Sequence, residues 1–153
     1  MKIKENKKAP LFKLFGTRNT RFDLKKIKSK LVVYFYPKDD TPGCTLETKD
    51  FSKFYKKFKK IKCEVIGISK DTVEKQIKFK SKYDLKCILG SDVDIKICSK
   101  FGVWVEKSMY GKKYMGIQRS TFLINIEGKI QHIWNKVKVP GHPEEVLEVV
   151  KKL

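Results

Sequence analysis

The sequence predicts an α/β fold in which a central mixed β-sheet is flanked by helices. A continuous apolar run, Leu31 to Tyr36, reads as a strand covered on both faces rather than one alternating between core and water. After it, Phe51, Phe54, Tyr55 and Phe58 recur at helical spacing among lysines and acids, which describes an amphipathic helix lying on that sheet. Two β-rich runs flank Asn125-Ile126-Glu127-Gly128 and read as a hairpin, which brings antiparallel strands into a sheet otherwise built by strand and helix in alternation.

The first strand stops at Pro37, which has no N–H to continue a ladder. Thr41 and Pro42 then open the first helix, Thr41 as N-cap and Pro42 at the first helical position. Val65 to Ile68 is a second buried strand, and the spacing from Asp71 to Glu74 opens a helix running to about Tyr83. Together these make a βαβ unit. Ile88-Leu89 is a short strand and Asp94 to Phe101 a short helix, whereas Gly102 to Gln118 has no regular pattern. Thr121 to Ile124 and Lys129 to Trp134 are the hairpin strands. Pro143 to Leu153 is a last helix, with Glu144 and Glu145 at its positive end and Lys151 and Lys152 at its negative end. No repeat or low-complexity linker interrupts the chain, and 153 residues suit one domain, so a single core over residues 1–153 is expected.

Hydrophobic residues make up 41% of the chain, enough for a packed core beside 35% charged residues. The net charge of +19 raises the question of nucleic acid or an anionic membrane surface. Its composition argues otherwise: only Arg18, Arg21 and Arg119 are arginine, and the lysines are spread over nearly every element. The aromatic residues from Phe51 to Phe58 belong to a core face and not to an exposed stacking face. A solvated lysine surface is expected, with nucleic-acid association as a secondary reading. Met1 to Phe15, broken by lysines and a proline, does not read as a signal peptide, and Leu31 to Tyr36 is too short to cross a bilayer. A cytoplasmic chain without a membrane partner is expected.

Cys44, Cys63, Cys87 and Cys98 show neither CxxC pairing nor zinc-ligand spacing. His132, on an alternating strand, and His142, in a loop, pair with no cysteine or carboxylate cluster, and both read as structural or surface residues. There is no glycine-rich phosphate loop, so neither metal nor nucleotide or flavin cofactor is implied. The chemistry falls to sulfur. Thr41 and Pro42 put Cys44 at the third helical position, where free amides and the helix dipole favour a thiolate. A capping Thr41 would point its Oγ1 at the Cys44 amide and lie close to the sulfur. An attacking thiolate also needs a cation for the charge that develops on the leaving atom. Arg119, just before the Thr121 strand, is the candidate, because a guanidinium stays charged and offers a fork of donors. A disulfide oxidoreductase would need a second cysteine near Cys44, and none is there.

Pro37-x-x-x-Thr41-x-x-Cys44 resembles the peroxiredoxin active-site signature. Phe35 to Thr45 as a whole, FYPKDDTPGCT, resembles the bacterioferritin comigratory protein or peroxiredoxin Q branch. Ser91-Asp92, Phe101-Gly102-Val103-Trp104, Glu106-Lys107-Ser108, the stretch from Gly116 to Ile124 and Gly128-Lys129-Ile130 are similar to that branch in the same order. The resemblance implies a thioredoxin-like fold and a thiol-dependent peroxidase for hydrogen peroxide and organic hydroperoxides, with no cofactor. It implies Cys44 as the peroxidatic cysteine, Thr41 orienting the peroxide, Pro37 shielding the pocket and Arg119 activating the thiolate. Implied partners are a hydroperoxide and thioredoxin, glutaredoxin or glutathione as reductant, for a monomer or weak dimer.

The chain departs from that branch at the resolving cysteine, whose two usual positions are Lys49 and Lys80 here. A sulfenic acid on Cys44 must still condense with a thiol or risk further oxidation. Cys63, entering a strand, and Cys98, within a short helix, read as core residues. Cys87, in a loop where movement is cheaper, is the possible resolver of a two-cysteine cycle. A one-cysteine cycle with an external thiol is the leading expectation. Trp104, Met109 and Tyr110 in the unpatterned segment are candidates to line an apolar entrance.

Overall fold

The computed structural model describes residues 3–17 and 21–153. Its centre is β3 (Lys30–Phe35), with every side chain from Leu31 to Phe35 buried. Leu31, Val33 and Phe35 enter one apolar cluster with Ile66, Ile68, Phe101 and Phe122. Val32, Tyr34 and Tyr36 enter the other, with Phe51, Phe58, Phe79 and Val146. A strand feeding two cores has no polar face, so its sequence is continuously apolar.

Eight further strands and four helices are ordered around β3 among the described residues. β1 (Lys13–Gly16) and β2 (Arg21–Asp23) precede it, and a short 3₁₀ turn, Leu24–Lys26, leads into it. α1 (Pro42–Lys60) returns the chain to β4 (Cys63–Ser69), parallel to β3. α2 (Val73–Tyr83) returns it to β5 (Ile88–Ser91), parallel to β4. α3 (Lys96–Lys100) leads into β6 (Trp104–Met109) and β7 (Lys112–Ile117). β8 (Ser120–Ile124) then lies antiparallel on the other side of β3, followed by β9 (Ile130–Trp134) at the edge. α4 (His142–Lys151) closes the helical layer. The seven-stranded sheet runs β2-β1-β5-β4-β3-β8-β9, and β6 and β7 form a separate antiparallel pair. The expected mixed sheet flanked by helices is what forms.

Two local expectations are corrected, and two strands are added. Gly102 to Gln118 contains the β6–β7 hairpin, whose tight turn has positive φ at Tyr110 (52°) and Gly111 (78°), as hairpin twist requires. Both strands are largely exposed, so no period-2 apolar face marks them. α2 is capped by Thr72, whose Oγ1 accepts from Lys75 N at 3.3 Å, not by Asp71. Asp71 is buried and instead accepts from Asp39 N and from Ser69 Oγ, both at 2.8 Å. β1 and β2 were not expected at all, being only four and three residues long. No helix among the described residues is long and apolar enough to cross a membrane.

Candidate active site

β3 ends by pointing its chain at the site. Tyr36 N still donates to Ile68 O at 3.0 Å, and half-buried Pro37 then turns the backbone out of the sheet. Asp39 fastens the loop from beneath: its N–H donates to Asp71 Oδ2 at 2.8 Å and its Oδ1 accepts from Tyr36 Oη at 2.6 Å. Burial, reinforced by the Asp71 charge, pushes the Asp39 carboxyl up to about 7 against the Tyr36 hydrogen bond. From outside, Asp40 accepts from Lys82 Nζ at 2.7 Å and Tyr83 Oη at 2.6 Å.

Thr41 adopts the extended conformation of an N-cap (φ −92°, ψ 155°), Pro42 is the first helical residue, and Thr45 N donates to Thr41 O at 2.8 Å. Cys44 therefore occupies the third position, as expected. The side chain of Thr41 does not cap it. Its Oγ1 donates to Lys38 O at 2.9 Å, so the hydroxyl tightens the loop rather than meeting the Cys44 amide.

Cys44 is 1% exposed. Arg119, in the link between β7 and β8, reaches it with Nη2 at 3.1 Å from Sγ. Its Nη1 donates to Glu47 Oε1 at 2.6 Å. One fork thus holds both a sulfur and a carboxylate. The guanidinium passes over Gly43, where a Cβ would lie 3.3 Å from Nη2, so the absence of a side chain there keeps the approach open. Burial works against the guanidinium charge, but Glu47 and Cys44 outweigh it and raise the pKa of Arg119. Glu47 is fully buried, its Oε2 has no hydrogen-bond partner, and burial carries its carboxyl to about 7 despite Arg119.

Glu47 is the functional residue that the sequence reading missed, although a signal was present. Residues 44, 47, 48, 51 and 58 share the buried side of α1, and a glutamate on that side calls for a cationic partner. His142 is a second case. It is the buried first residue of α4, not a loop residue, with Nε2 2.8 Å from Thr121 Oγ1 and its ring edge-on to Phe51 and Trp134. Burial, helped by the Arg119 charge, lowers it to about 4.

The remaining cysteines are buried and form no disulfide among the described residues. Burial pushes the Cys63 thiol up to about 12, and burial together with Asp92 raises Cys98 as well. Cys87 lies outside regular structure as expected, but the idea of easy movement is corrected. Its side chain is 0% exposed and packs in the cluster of Tyr34, Phe51 and Phe79. At the two usual resolving positions, Lys49 is exposed with Nζ 5.1 Å from the Tyr83 ring centroid, and Lys80 Nζ lies 3.4 Å from Thr17 Oγ1.

The AhpC/TSA family model matches residues 6–133. The chain belongs to that family. Its relatives place it among the peroxiredoxins. It is 44% identical over 154 residues to peroxiredoxin Bcp of Bacillus subtilis, covering 100% of this chain and 98% of the relative. With peroxiredoxin Bcp of Escherichia coli it shares 40% identity over 145 residues, 94% and 93% of the two chains. Solved structures agree. The bacterioferritin comigratory protein of Xanthomonas campestris, studied for its alkyl peroxide reduction activity, superposes with a TM-score of 0.90 at 38% identity, covering 97% of this chain and 98% of its own. PrxQ of Xylella fastidiosa gives 0.93 at 36% identity, covering 99% and 98%. This peroxiredoxin therefore has the thioredoxin-like fold that its motifs implied, and it is a thiol-dependent peroxidase.

Proposed function

We propose that this peroxiredoxin reduces hydrogen peroxide and organic hydroperoxides by direct attack of the Cys44 thiolate, in a one-cysteine cycle completed by an external thiol. The observation that carries the reading is the 3.1 Å contact between Arg119 Nη2 and Cys44 Sγ at the third position of α1. A guanidinium there stabilises the thiolate and, as the sulfur attacks, the charge that grows on the departing oxygen. Glu47 fixes the guanidinium plane. Thr41 spends its one donor on Lys38 O and keeps two lone pairs to accept the hydroperoxide O–H. Pro37, half-buried just past the end of β3, is assigned the shielding of the pocket that the family signature gives it.

In the first step an S–O bond forms between Cys44 Sγ and the terminal peroxide oxygen while the O–O bond breaks. The sulfur is oxidised by two electrons to a sulfenic acid, and the alkoxide or hydroxide leaves and takes a proton from water. A first external thiol then condenses with the sulfenic acid, releasing water and forming a mixed disulfide. A second thiol displaces Cys44 and leaves as the disulfide product. The lysines at 49 and 80, together with burial of Cys63, Cys87 and Cys98, support an external partner. Cysteines without a disulfide suit a reducing compartment such as the cytoplasm. Thioredoxin, glutaredoxin and glutathione are the reductants to compare, and a monomer or weak dimer is the working assembly.

The test is mass spectrometry after one equivalent of peroxide, followed by turnover with each reductant. A sulfenic acid on Cys44 with no internal disulfide is expected. A stoichiometric disulfide from Cys44 to Cys87 would overturn the one-cysteine cycle.

A further inference from the structure

A cavity of about 940 Å³ opens on the face of the sheet away from Cys44. Ala9 and Leu24, buried in its lining, belong to the apolar cluster of Phe35 and Phe122, whereas Cys44 packs in the other cluster. Leu11 and Ile126 line its mouth and are 60% and 67% exposed, two large apolar side chains from distant parts of the chain turned to one opening. The volume falls in the range of small-molecule sites.

Backbone hydrogen bonds fix the walls. Ala9 N donates to Gly128 O at 2.8 Å and Ile130 N to Lys7 O at 2.9 Å, which ties the segment before β1 to the turn between β8 and β9. Leu24 N donates to Phe12 O at 3.0 Å, which ties the 3₁₀ turn to the same segment. The cavity is thereby preorganised, and a ligand spends little on ordering it.

The charge of the lining has one sign in excess. Lys8, Lys25 and Lys100 contribute three cations against the single carboxylate of Glu127, and none of the three is ion-paired among the described residues. Lys100 is also held in place. Its Nζ donates to Leu11 O at 3.3 Å, from the end of α3 across to the mouth, which leaves two N–H donors for a further acceptor. An apolar interior with a positioned ammonium at its rim matches an alkyl chain that ends in an anion.

We propose that this cavity is a second ligand site that binds a single-chain fatty carboxylate, the alkyl chain lying among Leu11, Leu24 and Ile126 and the carboxylate meeting Lys100 Nζ. The site is separate from the peroxide chemistry, and no bond is made or broken in it.

The experiment titrates decanoate, below the concentration at which it forms micelles, into the full chain by isothermal calorimetry at pH 7.5, beside 1-decanol and propionate. Decanoate should bind once per chain and about tenfold more tightly than 1-decanol, a charge-assisted difference of about 1.4 kcal/mol, whereas propionate, without the chain, should not bind. Lys100→Gln should bring decanoate down to the level of 1-decanol, and Lys100→Arg should retain most of the difference. Ile126→Glu, a carboxylate placed at the exposed mouth, should weaken decanoate further. Peroxide reduction should keep its wild-type rate in all three variants, which also shows that they fold. Amide shifts on adding decanoate to the wild type should fall in residues 8–11, 24–27, 99–100 and 126–128. Equal binding of decanoate and 1-decanol, no binding of decanoate, or undiminished binding by Lys100→Gln overturns the proposal. So do amide shifts centred on residues 41–48, which would place the ligand at Cys44, and loss of peroxide reduction in Lys100→Gln, which would join the cavity to that chemistry.

Discussion

Arg119→Met separates the two tasks of the guanidinium. Arg119 is 16% exposed at its side chain and Glu47 0%, with 2.6 Å between Nη1 and Oε1. Removing the cation leaves a buried carboxyl with no counter-charge, and breaking a buried pair in this way costs about 3–5 kcal/mol. For a chain of this length that corresponds to a fall of about 10 °C in Tm. The deficit should shrink as the pH is lowered from 8 to 6, because protonation removes the orphaned charge. Adding Glu47→Gln removes it at every pH, so the double variant should regain much of the lost Tm. Activity should not follow. Loss of a donor aimed at developing charge costs about 10²–10³ in rate, and the double variant still lacks that donor. Thermal unfolding by circular dichroism and stopped-flow peroxide reduction, both in excess thiol, give the two readouts. A double variant that recovers peroxide reduction along with stability, or an Arg119→Met chain as fast as the wild type, would refute the role given to the guanidinium.

Thr41→Val removes the hydrogen bond to Lys38 O and the acceptor offered to the peroxide, and should reduce kcat/KM about tenfold. Thr41→Ser, which keeps the hydroxyl, should retain most of it, and steady-state kinetics decide. Cys87→Ala should leave turnover with an external thiol unchanged while lowering Tm modestly, since Cys87 is a fully packed core residue. Two pH windows follow from burial. Asp39, raised from 3.8 to about 7, holds a proton in the folded chain that the unfolded chain releases, so its contribution to stability is lost as pH rises between those values. Asp39→Asn should therefore gain Tm relative to wild type on going from pH 5 to pH 8. His142, lowered from 6.5 to about 4, has the opposite sign, and its contribution is lost as pH falls from 6.5. His142→Asn should gain relative to wild type at pH 4.5, as thermal melts across the range would show.

The central elements were legible because each buries a defined face. The unbroken apolar run of β3 and the helical spacing of Phe51 and Phe58 announce burial on both sides of the sheet. The start of α1 was legible for a local reason, since Thr-Pro-Gly-Cys sets its own cap and first turn. What eluded sequence reasoning depended on partners distant in the chain. The β6–β7 hairpin has no core face, and β1 and β2 are too short for a period to show. Asp71 looked like a cap by spacing, but the backbone of Asp39, 32 residues earlier, claims its carboxylate. Arg119 is legible as a charge partner because it directly precedes the β8 strand, and its Nη2 lies 3.1 Å from Cys44 Sγ. Glu47 is hidden in the sequence because a glutamate is ordinary in a lysine-rich helix, and only the packing of α1 against the sheet buries it.

Attack by Cys44 itself is tested most directly by single-turnover reduction of one equivalent of hydroperoxide with Cys44→Ser beside the wild type. The wild type should consume the peroxide stoichiometrically and lose one titratable thiol, with the added oxygen mapped to Cys44. Cys44→Ser, keeping Cys63, Cys87 and Cys98, should consume none above background. Consumption by Cys44→Ser at the wild-type rate would show that another group attacks the peroxide.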